Sequence, residues 1–229
     1  MKKILITSLV CASLGLTQWA SADILAQWSF DTLSVDSAPA NTPSVNSIAA
    51  DLGLGSASAY HANAASVWST PVGNGSPKSL SANNWSVDDY FQFEASSIGY
   101  AGLVVSFDQT GSNTGPRDFG LQYSADGTTF LQFGTYTVIN AGWNSSNPTP
   151  NPSSYSFDLS GITALDNATA IYFRLVNLGT TAINGNDVAA GGTGRVDNFT
   201  IATIPEPSSL TLVGGLGLLG LFFKRRHQK

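Results

Sequence analysis

The chain has 229 residues, 11% of them charged, with a net charge of −5, 23 glycines and a single cysteine. The charge is unevenly placed: from Asp23 to Thr203 four basic side chains stand against fourteen carboxylates, a net −10. Such a field repels phosphate, so nucleic acid is excluded as a partner and cations or neutral glycans are left open.

Met1-Lys2-Lys3, the apolar stretch Ile4 to Leu16 and Ala20-Ser21-Ala22 form the three parts of a secretory signal peptide over residues 1–22. This predicts Sec export and cleavage before Asp23. Cys11 falls inside that segment, so the exported chain has no disulfide, thiol nucleophile or cysteine metal site. Its core must hold the fold unaided.

Residues 23–203 read as one all-β domain. In Ile24 to Phe30, Ala26, Trp28 and Phe30 line one face. From Thr32 to Trp85 the pattern is weak and predicts long loops with short edge strands. It sharpens at Tyr90, where Phe91 and Phe93 alternate with polar residues. Leu103, Val105 and Phe107 then share a face, as do Phe119, Leu121 and Tyr123. Asp126-Gly127 marks a tight turn before a returning strand over Thr129 to Ile139. Asn144 to Ser154 predicts an exposed loop. Strands follow at Tyr155–Leu159, Ala170–Asn177 and Arg195–Thr203. Eight or nine short antiparallel strands imply a jelly-roll-like β-sandwich. In that topology the first and last strands lie close, bringing Asp31 towards Asp197.

The chain closes with Ile204 followed by Pro205-Glu206-Pro207, an uncharged apolar run over 208–223, and a basic tail over 224–229 that contains Lys224, Arg225 and Arg226. As a helix, 16 residues at about 1.5 Å each reach about 24 Å. The hydrocarbon core is about 30 Å thick, so this is a short transmembrane anchor. The basic cluster holds its end in the cytoplasm and places the folded domain outside the inner membrane.

These three parts, in order over residues 204–229, resemble the PEP-CTERM sorting signal of Gram-negative bacteria. The resemblance implies recognition by an exosortase, processing near Pro205-Glu206-Pro207, and passage to the cell surface or a biofilm matrix of exopolysaccharide. A second resemblance rests on Arg117 to Phe130, Ile171 to Val176 and Gly192 to Phe199, which look like the β-sandwich ectodomains that precede such tails. It implies a fold and no defined activity.

Little here promises catalysis. His61 reads as a lone exposed loop histidine, and no nucleophile elbow, zinc helix or phosphate loop occurs. Asp88, Asp89 and Glu94 supply carboxylates for a glycosidase pair, but Asp88-Asp89 reads equally as a solvated strand start. No cofactor is expected beyond a structural calcium, for which Asp31 with Asp197, or Asn184 to Asp187, offer oxygens. For glycan contact, Trp85 and Trp143 are the tryptophans expected to expose a ring. The sequence thus predicts an exported, membrane-tethered, non-enzymatic surface or matrix protein. The alternative is a carbohydrate-binding module acting on exopolysaccharide.

Overall fold

The computed structural model describes residues 22–33, 42–148 and 153–204. The signal segment 1–22 lies outside them except for Ala22. The sorting motif 205–207, the apolar run 208–223 and the basic tail 224–229 lie wholly outside. Among the described residues no helix is long and apolar enough to cross a membrane.

The strands are β1 (Ile24–Trp28), β2 (Ser44–Ala49), β3 (Leu52–Gly53), β4 (Gly55–Tyr60), β5 (Trp68–Ser69), β6 (Leu80–Ala82) and β7 (Tyr90–Ala95). They continue with β8 (Leu103–Gly111), β9 (Asp118–Ser124), β10 (Leu131–Thr137), β11 (Ser154–Asp158), β12 (Ile171–Asn177) and β13 (Gly194–Thr203). A single turn of 3₁₀ helix at Thr163–Leu165 precedes β12. All pairings are antiparallel. One sheet runs β11-β8-β13-β1-β3, with β6 also on β13 and β5 on β6; the other runs β10-β9-β12-β7-β4-β2.

The alternation expected from β7 onward is observed. Phe91, Phe93, Leu103, Val105, Phe107, Phe119, Leu121, Phe173, Phe199 and Ile201 are all buried between the sheets. Packing two such faces removes large aromatic areas from water, the main stabilising term for a cysteine-free domain. Trp28 sits edge-on to Phe93 at 5.2 Å and to Phe199 at 6.0 Å. Its Nε1–H donates to the Ile48 carbonyl at 3.1 Å, so the indole brings no unpaired donor into the core.

The weak stretch from Thr32 to Trp85 holds more strand than its pattern suggests: β2 to β6 all lie there. Alanine, serine and glycine are common in β4, where a Cβ at Gly55 would lie 2.7 Å from the Trp28 ring. At Gly53 the backbone turns at φ +74°, and a Cβ would lie 1.9 Å from the Leu25 carbonyl oxygen, so only glycine fits.

The first and last strands are neighbours, as expected: β1 pairs with β13 from Ile24–Ala202 to Trp28–Phe199. A register shift in β13 between Asp197 and Thr200 contains Asn198 at φ +52°. The bulge lets Val196 and Phe199, three residues apart, both be buried where strict alternation would turn one of them outward.

Candidate functional site

The tryptophans are not the exposed rings that the sequence leads one to expect. Trp85 is 6% exposed; its Nε1–H donates to the Ala82 carbonyl at 2.9 Å, and its ring packs on Phe91 and Phe119. Trp143 is also 6% exposed; its Nε1–H donates to Ser153 Oγ at 3.1 Å, and the Arg195 guanidinium lies over its ring. Trp28 and Trp68 are buried as well. Both candidates head turns where polar neighbours suggest solvent, but their rings fold back over the sandwich.

His61 is likewise buried rather than exposed. Its ring sits 4.7 Å from Trp68 and 4.2 Å from Trp85. Its Nδ1 lies 2.9 Å from Ser66 Oγ and 3.0 Å from the Asn83 carbonyl. Burial lowers its pKa to about 4, against the raising effect of the Asn83 bond. Asp89, 3.7 Å away, is therefore beside a neutral imidazole at pH 7 and forms no ion pair with it.

The three candidate carboxylates do not converge. Asp89 is buried and accepts the backbone N–H groups of Ala62 at 2.7 Å and Ser86 at 2.6 Å. Asp88 is exposed at φ +69°, and Glu94 lies within reach of the Tyr172 hydroxyl. None of them lines the cavity of about 330 Å³ between Trp85, Val87, Thr180 and Asp187, nor the one beside Phe30, Asn46 and Asp51.

Asp31 and Asp197 both bind the 73–78 loop. Asp31 accepts the Lys78 N–H at 3.4 Å. Asp197 Oδ2 accepts the Asn74 N–H at 2.7 Å and the Ser76 hydroxyl at 2.9 Å, while Oδ1 accepts the Asn198 N–H at 2.8 Å. Burial raises the Asp197 pKa to about 7 in spite of these bonds. Among the described residues no three His, Cys, Asp or Glu side chains gather as a metal site. In the alternative loop, Asn184 Oδ1 accepts the Asn186 N–H, a local turn contact.

A different surface brings polar and aromatic groups together. Alternation turns Tyr90, Gln92 and Glu94 outward on β7, Tyr172 and Arg174 outward on β12, and Ser58 and Tyr60 outward on β4. Register aligns them. Ser58, Gln92, Arg174, Gln122 and Gln132 form one row across five strands. Tyr60 and Tyr90 stand side by side with ring centroids 5.8 Å apart. Arg174 lies flat in the middle, its guanidinium carbon 3.9 Å from the Tyr90 centroid and 3.5 Å from that of Phe130. Its Nε–H donates to Gln92 Oε1 at 2.8 Å. Burial against these rings lowers the Arg174 pKa, and Tyr90 opposes the shift; an arginine stays charged regardless. Two ring contacts and one hydrogen bond hold the guanidinium still, which keeps the row flat.

This outer face offers what a chain of neutral hydroxyls needs: aromatic area and amide groups that donate and accept, in a fixed line. The sequence reading missed it because Tyr90, Gln92, Arg174 and Gln122 read as the ordinary solvent side of alternating strands. The available signal was that this side carries tyrosine, glutamine and arginine where lysine and glutamate are usual.

The fold thus defines the class: an all-β, two-sheet antiparallel sandwich. The segment that follows its last strand is matched by the PEP-CTERM protein-sorting motif over residues 203–226, so the chain carries that motif. No curated protein matches the chain. Among solved structures, it is similar in fold to the CBM22-2 xylan-binding domain of Paenibacillus barcinonensis Xyn10C, at 12% identity and TM-score 0.43, covering 79% of this chain and 99% of that one. It is also similar to the TmCBM61 module solved with β-1,4-galactotriose, at 14% identity and TM-score 0.35, covering 66% and 88%. The K1 cleaved adhesin domain of Lys-gingipain from Porphyromonas gingivalis W83 is similar at 10% identity and TM-score 0.39, covering 61% and 83%.

Proposed function

We propose that the protein is an exported, non-enzymatic surface or matrix component, held at the inner membrane through 208–223 and then processed by an exosortase near Pro205-Glu206-Pro207. The observation that carries this is the sorting motif, which is matched from the last residue of β13 onward. The reading includes Sec export with removal of residues 1–22, a mature domain over 23–203, and Lys224, Arg225 and Arg226 as the cytoplasmic stop. Deleting residues 205–229 should release the domain into the medium. If the truncated protein stays with the cells, the anchor reading is wrong.

A second reading is supported by the outer face of β4, β7, β12 and β9. Its tyrosine pair and its row of amides around Arg174 suit a neutral polysaccharide, and the acidic domain would disfavour an anionic one. On this reading the displayed sandwich holds exopolysaccharide and does not cut it. Titration with neutral oligosaccharides, monitored by tyrosine fluorescence and calorimetry, tests it. Absence of binding to every neutral glycan on an array would remove it and leave the sorting reading intact.

A further inference from the structure

The sandwich has two unlike ends. Residue pairing places Gly55, Ala95 and Ile171 at one end of one sheet, and Ile24, Leu103 and Thr203 at the same end of the other. Nine large apolar side chains are exposed among the described residues, and five of them belong to this end: Ile24, Leu54, Ile98, Tyr100 and Leu131. Leu54, at the β3–β4 turn, is 86% exposed; Ile98, in the β7–β8 loop, is 58% exposed. Tyr60, Val87 and Leu178 lie towards the opposite end. Exposed aliphatic groups spread across one end, with Leu54 and Ile98 on its loops, suit a surface that meets something apolar.

The end is also where the chain leaves the domain. The Ile204 N–H donates to the Gly102 carbonyl at 2.9 Å, which pins the last described residue to the loop bearing Ile98 and Tyr100. From Ile204 to Ser208, the first residue of the apolar run, is four residue steps. Even fully extended, four steps reach only about 14 Å. A domain tethered that closely has little freedom to turn this end away from the bilayer.

Charge separates the possible modes of contact. The loops of this end, 96–102, 124–130 and 159–170, contain no lysine or arginine and carry Asp126 and Asp166. The α-ammonium that cleavage before Asp23 would leave beside Thr203 is offset by the Asp23 carboxylate, so these groups give anionic headgroups little attraction and apolar insertion leads. Aliphatic tips with a neighbouring tyrosine suit the boundary between headgroups and acyl chains.

We infer that, while the protein is anchored, this end of the sandwich rests on the lipid bilayer with Leu54 and Ile98 inserted into its interface. The outer face with Tyr60 and Tyr90 then stands clear of the membrane. The inference rests on the anchor reading of residues 208–223, and its test separates the two.

The mature chain from Asp23 to Lys229 contains no cysteine and offers the background. Single substitutions Leu54→Cys, Ile98→Cys and Val87→Cys, each at an exposed position, carry a polarity-sensitive fluorophore. Each labelled chain is reconstituted into phosphatidylcholine vesicles with and without brominated acyl chains and floated on a density gradient. The expected result is a floating chain whose label is quenched by brominated lipid at 54 and 98 and stays bright at 87. A floating chain with all three labels bright overturns the seating and leaves the anchor standing. A chain that does not float overturns both. Quenching at 98 that follows protein density in the vesicles rather than bromine would assign the patch to a second copy of the chain, which also overturns the seating.

Discussion

The Phe93 ring of one sheet lies flat against the Phe199 ring of the other, with 3.5 Å between centroids and 1° between planes. Trp28 closes the stack from the side. No disulfide supports this domain, so the aromatic centre is what joins its two layers. Phe93→Ala or Phe199→Ala should each destabilise the fold by about 3–5 kcal/mol. That is a large share of the roughly 5–15 kcal/mol that holds a domain together. Urea denaturation followed by tryptophan fluorescence measures it; a loss below about 1 kcal/mol would show that the sheets are joined elsewhere.

The buried Asp197 carboxylate predicts an unusual pH dependence. Burial raises its pKa from 3.8 to about 7 in the folded chain. Between those values the folded state holds the proton more tightly than the unfolded state does. This contribution to stability is full below pH 3.8, declines as pH rises, and is gone above pH 7. Asp197→Asn removes the titration. The stability difference between wild type and variant should change across this window and become flat above it. A difference that is level from pH 4 to pH 8 would mean that Asp197 ionises normally.

His61 acts in the opposite sense. Its pKa falls from 6.5 to about 4, so the unfolded chain binds the proton more tightly between those values. Stability from this residue is complete above pH 6.5 and is lost as pH falls towards 4. Imidazole nitrogen shifts in an NMR titration should show a neutral ring down to about pH 4. A midpoint near 6.5 would place the ring in water, contrary to its packing between Trp68 and Trp85.

The β9–β10 turn depends on its glycine. Gly127 has φ +72°, and a Cβ there would approach the Tyr172 ring at 3.0 Å. Gly127→Ala should cost about 1–2 kcal/mol from backbone conformation alone. Thermal unfolding of the variant checks this; an unchanged midpoint would mean that the turn relaxes freely.

On the outer face, Tyr90→Ala removes one side of the Arg174 clamp and one of the paired rings. Its side chain points away from the core, so the melting temperature should hold. Affinity for a neutral oligosaccharide should fall about tenfold, about 1.4 kcal/mol. Binding that survives Tyr90→Ala and Tyr60→Ala together would move the glycan site off this face.

Strands with large apolar residues at alternate positions were readable because Phe91 and Phe93, or Leu103 and Val105, leave one way to face a core. The closeness of the first and last strands was legible from the jelly-roll-like topology that such a series of strands implies. The stretch before Trp85 was not, since alanine and serine can lie inside or outside, and Trp28 and Phe93 on other strands decide which. The burial of Trp85, Trp143 and His61 was hidden too. Each side chain turns back over its own loop, and a local polar neighbourhood does not report that. Most of the outer row is a product of register between strands far apart in the chain, as with Ser58 and Gln92 or Gln92 and Arg174; only Gln122 and Gln132 come from neighbouring strands. The sequence order of those residues carries no trace of it.

The place of β13 has a consequence for export. It lies between β8 and β1 at the middle of its sheet, so neither pairing is complete until residues 194–203 are available. If the chain is exported N-terminus first, as proposed, the strand that joins β1 to β8 arrives last. On that route the sandwich would close only once the start of the sorting motif had itself emerged. A chain cut short before residue 194 would lack its central strand. On the proposed route, completion of folding would certify that the whole domain has crossed.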